Sequence, residues 1–155
     1  ALYGPVAWGD YDNDGDLDLA IAGENLSNNR FFRIYRNNLT SPNSIPVQAT
    51  NLQAVVSGPS EPYDVSFSWD AGSDSETPAL GLSYQLRVGT TAGGNEISAG
   101  HHRADGQRLL PQLGVTASNS RTLHLSAGTY YWTVQTIDSA FEGSSVLNTA
   151  IVIVP

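Results

Sequence analysis

Five aspartates stand at alternate positions in the run Asp10-Tyr11-Asp12-Asn13-Asp14-Gly15-Asp16-Leu17-Asp18, and no other stretch of the 155-residue chain is as chemically specific. Carboxylates this close repel one another unless a cation lies among them. Hard oxygen ligands at short range are what a calcium ion needs in place of its hydration shell, so the expected ion is Ca2+.

The spacing can be read against the calcium-loop pattern, in which side-chain ligands fall at the first, third and fifth positions and a glycine turns the chain. Asp10, Asp12 and Asp14 fill those three positions. Gly15 stands where a positive φ folds the loop back, Asp16 can offer its main-chain carbonyl, and Asp18 is placed to close the shell. An EF-hand is excluded, because its twelfth position needs a bidentate Glu and holds Ile21 here. The flanks Pro5-Val6-Ala7-Trp8 and Leu19-Ala20-Ile21-Ala22 also read as short strands, not amphipathic helices. The expectation is a strand-loop-strand metal site.

The run Val6 to Gly23, followed by Arg33-Ile34-Tyr35-Arg36-Asn37, resembles one FG-GAP or VCBS repeat, the unit of calcium-binding blades in integrin-type propellers. The resemblance covers residues 1–38 and implies Asp10, Asp12, Asp14 and Asp18 as side-chain ligands with Asp16 as a backbone ligand. Three strands are expected there, around Val6 to Gly9, Leu19 to Gly23 and Phe31 to Arg36, where a propeller blade has four. No second Asp-x-Asp-x-Asp-Gly occurs, so this blade is incomplete and needs surfaces from elsewhere. Residues 39–46 carry Pro42 and Pro46 among turn formers and read as a linker.

From Val47 the pattern changes to about seven short strands separated by turn signals, as expected of an all-β sandwich over residues 47–155. Val65, Phe67 and Trp69 alternate with serines, and Tyr84, Leu86 and Val88 repeat the period, as do Tyr130, Trp132 and Val134. A weaker strand is expected near Glu96 to His102. Trp69, Tyr84 and the run Leu125 to Asp138 resemble a fibronectin type III domain, with Leu125, Gly128 and Tyr130 where its tyrosine corner is built. The expected fold is therefore all-β: an incomplete propeller-blade-like unit followed by a seven-stranded fibronectin type III-like β-sandwich.

Charge and composition narrow the function classes. The net charge is -8, yet five of the fifteen acids lie in the one loop and no basic patch exists, which disfavours nucleic acid and anionic membrane surfaces. The chain has no Cys for a disulfide or thiolate zinc site, and no apolar run long enough to span a bilayer. With no initiator Met or signal peptide, it reads as a mature or excised segment of a secreted or cell-surface protein, bacterial by its resemblances.

No catalytic constellation emerges. His101 and His102 are adjacent and on a strand would point to opposite faces, His124 should face away from the core, and no serine sits in a nucleophile elbow. Asp138 and Glu142 read as solvated-loop acids. Asp70, Asp74 and Glu76 form a minority candidate for a second calcium site. Exposed Trp8, Tyr11 and Phe31 are candidates for glycan contact without further support.

The reading favoured by the sequence is a non-enzymatic, extracellular calcium-binding structural module. It would self-associate head to tail, or join neighbouring repeats, through open blade edges, giving a calcium-stabilised filament or adhesive surface assembly. The alternative is a non-catalytic spacer from a larger secreted, propeller-containing enzyme or receptor.

Overall fold

The structure, a computed structural model, describes residues 4–12, 14, 16–38, 43–103 and 106–155. Gly15 and linker residues 39–42 lie outside the described residues. Among those described the chain is all-β, with three open three-stranded antiparallel sheets, no α-helix and one 3-10 turn at Ala79–Gly81. It divides into two compact units, Ala1–Ser44 and Ile45–Pro155.

The first unit is a single sheet of β1 (Val6–Gly9), β2 (Asp18–Glu24) and β3 (Arg30–Tyr35), in the order β1-β2-β3. Gly4 lets the chain entering β1 lie against the backbone of Ala22, whose carbonyl an added Cβ would strike. The β2–β3 turn is held by Asn25, whose side-chain oxygen accepts the N–H groups of Ser27 and Asn29 at 3.0 Å each. Asn28 takes φ 61 there, a left-handed conformation that Asn tolerates.

Register fixes the two faces. Trp8 stands opposite Leu19 and Leu19 opposite Tyr35, while Ala7 stands opposite Ala20 and Ala20 opposite Ile34. Alternation therefore puts Val6, Trp8, Leu19, Ile21, Phe31 and Tyr35 on one face, and Ala7, Ala20, Ala22, Phe32 and Ile34 on the other. Both faces are apolar and neither is enclosed: Trp8 is 57 % exposed and Phe32 67 %. The side chains that are buried among the described residues of this unit are two carboxylates, Asp16 at 6 % and Asp18 at 2 %. Burial is inverted relative to an ordinary sheet.

The second unit is built the usual way. Its strands are β4 (Thr50–Ser57), β5 (Tyr63–Asp70), β6 (Ser83–Gly89), β7 (Ser120–Leu125), β8 (Gly128–Ile137) and β9 (Ala150–Val154). They form two sheets, β4-β5-β7 and β6-β8-β9, which enclose one core. Val65, Phe67 and Trp69 of β5 alternate inward to meet Tyr84, Leu86 and Val88 of β6 and Trp132 and Val134 of β8. Phe67 and Trp132 meet edge to face at 4.9 Å between ring centroids, and Trp69 and Tyr84 at 5.6 Å. Where β7 turns into β8, the Tyr130 hydroxyl donates to the Ser126 carbonyl at 3.0 Å.

The expected strand at Glu96 to His102 is absent as a strand. Only isolated bridges, Val88 with Ser98 and His102 with Arg108, occur there, so the described part of this unit has six strands, not seven. His101 adopts φ 52, which breaks the extended path, and Gly93 at φ 77 turns the chain before it. The segment instead covers polar groups of β6, while the stretches at Gly106 and Ser144 cover those of β8. Gln85 donates to the Ala99 carbonyl at 2.6 Å, Gln135 to the Gly106 and Ser144 carbonyls, and Ser98 to the Leu86 carbonyl at 2.6 Å. Gly114 completes the cover, since an added Cβ there would run into the Tyr84 backbone.

Candidate metal centre

The loop between β1 and β2 is closed at its base by the pairing of Gly9 with Asp18. Its aspartates act on the backbone before any metal is considered. Asp10 Oδ1 accepts the Asp14 N–H at 3.1 Å, and Asp14 Oδ1 accepts the Asp16 N–H at 3.1 Å, so each carboxylate curls the chain around itself. Asp18 fastens both ends of the arrangement: Oδ2 accepts the Tyr11 N–H at 2.8 Å, and Oδ1 accepts the Asn37 N–H at 2.7 Å from the segment leaving β3.

The result is convergence. One carboxylate oxygen from each of Asp10, Asp12 and Asp18 lies within 4.8 Å of the other two. Oxygens bound to one calcium ion at about 2.4 Å can be no farther apart than about twice that distance, so this all-oxygen set fits the ion by spacing and hardness. Asp14, expected as a fourth side-chain ligand, is not in the convergent group. Its Oδ2 lies 3.1 Å from Arg36 Nη2, and the Arg36 Nε reaches Asp12 Oδ2 at 2.7 Å. Asp16 is buried, with its N–H engaged by Asp14.

The electrostatics follow from these contacts. The Asp12 carboxyl is pushed above its ordinary range by local desolvation and the charges of Asp14, Asp18 and Asp10, against the opposing pull of Arg36. Asp14 is held below its ordinary range, first by the Asp16 N–H and then by Arg36. Arg36 is raised by its bond to Asp14 and the charge of Asp12. Beside the loop an open cleft of about 200 Å³ is lined by Trp8, Asp10, Tyr11, Asp18, Ala20 and Ile34.

The sequence pointed to the aspartates but assigned no role to Arg36 or to the Asn37 N–H. Both could have been found by extending the antiparallel register: Leu19 pairs with Tyr35, which sets Asp18 opposite the residue that follows Tyr35.

The other expected sites fare differently. Asp70, Asp74 and Glu76 do not converge; Asp74 Oδ2 instead accepts the N–H groups of Glu76 at 3.1 Å and Thr77 at 2.7 Å, which makes it a turn former. Asp138, expected in a solvated loop, is instead fully buried and accepts the N–H groups of Ala140 and Glu142, while local desolvation raises the Glu142 carboxyl. His124 is exposed and pairs with Asp64 at 2.6 Å. His102, expected as a polar loop or edge residue, is buried, with Nδ1 donating to the Arg103 carbonyl at 2.8 Å. No helix among the described residues is long and apolar enough to cross a membrane. Compared with models of known protein families and with curated proteins, the chain matches none.

Proposed function

We propose that the chain is an extracellular calcium-binding structural module, in which an FG-GAP or VCBS-like unit is carried by a fibronectin type III-like sandwich and joins copies of itself into a filament or adhesive layer. The observation that carries this reading is the inverted burial of the first unit. Asp16 and Asp18 are withdrawn from solvent while Trp8, Phe32 and Tyr35 are exposed. Five carboxylates with one guanidinium beside them favour a further cation, and an aromatic sheet whose faces are exposed among the described residues favours apolar partners. One unit thus has two features that favour a ligand, an acidic loop for a metal and an apolar sheet for a neighbour.

Asp10, Asp12 and Asp18 would hold the ion, joined by Asp14 and the Asp16 carbonyl. Calcium would supply positive charge and oxygen coordination that tie the loop to the bases of β1 and β2. The sandwich reading is supported by the strand order β4-β5-β7 and β6-β8-β9 and by the hydroxyl bond of Tyr130 to Ser126 at the entry to β8.

The test is a thermal melt of the chain with and without millimolar calcium, alongside Asp14→Ala. At calcium about a hundred times Kd, linkage adds roughly 2.7 kcal/mol to the unit that binds it. The expected outcome is a calcium-dependent rise in the first unit's transition that Asp14→Ala reduces. A transition that ignores both calcium and the substitution would refute the reading.

A further inference from the structure

Both oxygens of Asp14 are engaged, Oδ1 by the Asp16 N–H and Oδ2 by Arg36, and Asp14 stands outside the convergent trio. Arg36 follows directly after β3 and bridges two of the loop's five carboxylates, Asp12 and Asp14. Its neighbour Asn37 is tied to Asp18 through the backbone, so the base of the arginine is fixed while its side chain, 58 % exposed, is free to swing. We propose that Arg36 is a built-in counter-cation of the acidic loop, and that a divalent ion binds by displacing its guanidinium and not by simple addition. This rests on the calcium reading above and adds how the site is regulated.

Three consequences follow from the charge and the geometry. A guanidinium cannot be titrated away under ordinary conditions, so the exchange responds to cation concentration, not to proton loss from the arginine. A monovalent ion brings the same charge that it would displace and gains little, whereas a divalent ion gains one charge, so Arg36 makes the loop selective for divalent ions. Asp14 is released toward the metal by the same event that frees Arg36. The arginine therefore sets the threshold at which the loop fills and keeps the loop folded below that threshold.

The experiment is a calorimetric calcium titration of the full chain and of Arg36→Gln, with Arg33→Gln as a control for charge alone. Arg33 lies over the Phe31 ring at 5.7 Å, outside the loop. It is paired with NMR of the Arg36 Nε–H in the unaltered chain, which needs no variant to fold. Two exposed ion pairs are worth little each, so Arg36→Gln should bind calcium about three- to tenfold more tightly, with Arg33→Gln near the unaltered value. Sodium should compete with calcium more strongly in Arg36→Gln. The Arg36 Nε–H should lose its protection from exchange as calcium is added. Calcium binding with equal or weaker affinity in Arg36→Gln, or an Nε–H that stays protected at saturation, would overturn the exchange while leaving the calcium site intact. No binding by either protein would overturn the calcium reading and the exchange with it.

Discussion

Asp18 is nearly inaccessible, yet each of its oxygens is taken by one backbone N–H, from Tyr11 and from Asn37. An amide side chain would keep the volume but could offer only one acceptor oxygen to two donors. Asp18→Asn should therefore destabilise the first unit by about 1–3 kcal/mol even without metal, the cost of a stranded buried donor; an unchanged melt in chelator would contradict it. His102 makes a prediction of opposite character. Burial holds its imidazole below the ordinary 6.5, helped by the charges of Arg87, Arg108 and His101, although the Arg103 carbonyl pulls the other way. The unfolded chain takes up this proton first as pH falls, so His102 supports the fold fully above about pH 6.5 and progressively less as pH drops toward its lowered folded value. The second unit's Tm, followed from pH 7.5 to 5.5, should fall less steeply in His102→Gln than in the unaltered chain. Parallel curves would show that the buried imidazole is not the source.

Among the elements, β8 carries the second unit. It pairs with β6 along one edge and β9 along the other, and Tyr130, Trp132 and Val134 all enter the core. Trp132→Ala removes the ring packed on Phe67 and should cost about 3–5 kcal/mol, whereas Tyr130→Phe removes only the bond to Ser126 and should cost about 0.5–1.5 kcal/mol. Denaturant unfolding would separate the two, and equal losses would mean that the hydroxyl does more than hold one turn. Strands such as β5, β6 and β8 were legible in the sequence because alternation is a local signal, repeated within each strand. The Glu96 to His102 segment was not, because its conformation is set by contacts with β6, the Gln85 side chain on the Ala99 carbonyl and the Leu86 carbonyl under Ser98, which no pattern within the segment announces. The convergence of Asp10, Asp12 and Asp18 was legible because the spacing of the aspartates is local. The role of Arg36 was hidden because it depends on the register between β2 and β3, and so was the pairing of Asp14 with it.

At the scale of the whole molecule the two units pose different physical problems. The second encloses an aromatic core of its own, although it too leaves apolar side chains such as Leu80, Leu147 and Ile153 exposed. The first exposes Val6, Trp8, Phe32 and Tyr35 across two faces of one sheet. If copies cover those faces for one another, calcium and assembly become linked, because the proposed ion would order the loop at the ends of β1 and β2 while the neighbour would cover the same strands. Phe32→Glu separates the two effects. The residue is far from enclosed, so the substitution should leave the fold of the single chain within about 0.5 kcal/mol of the original. It should nevertheless prevent association, since a charge would have to be buried without a partner. Sedimentation and electron microscopy in millimolar calcium should then find ordered polymers for the unaltered chain, dispersal on chelation, and single chains for Phe32→Glu with calcium binding retained. Polymers that persist unchanged in Phe32→Glu would mean that the sheet face bearing Ala7, Ala20 and Ile34 is not the surface by which copies meet, and would leave assembly to the opposite face or to the strand edges.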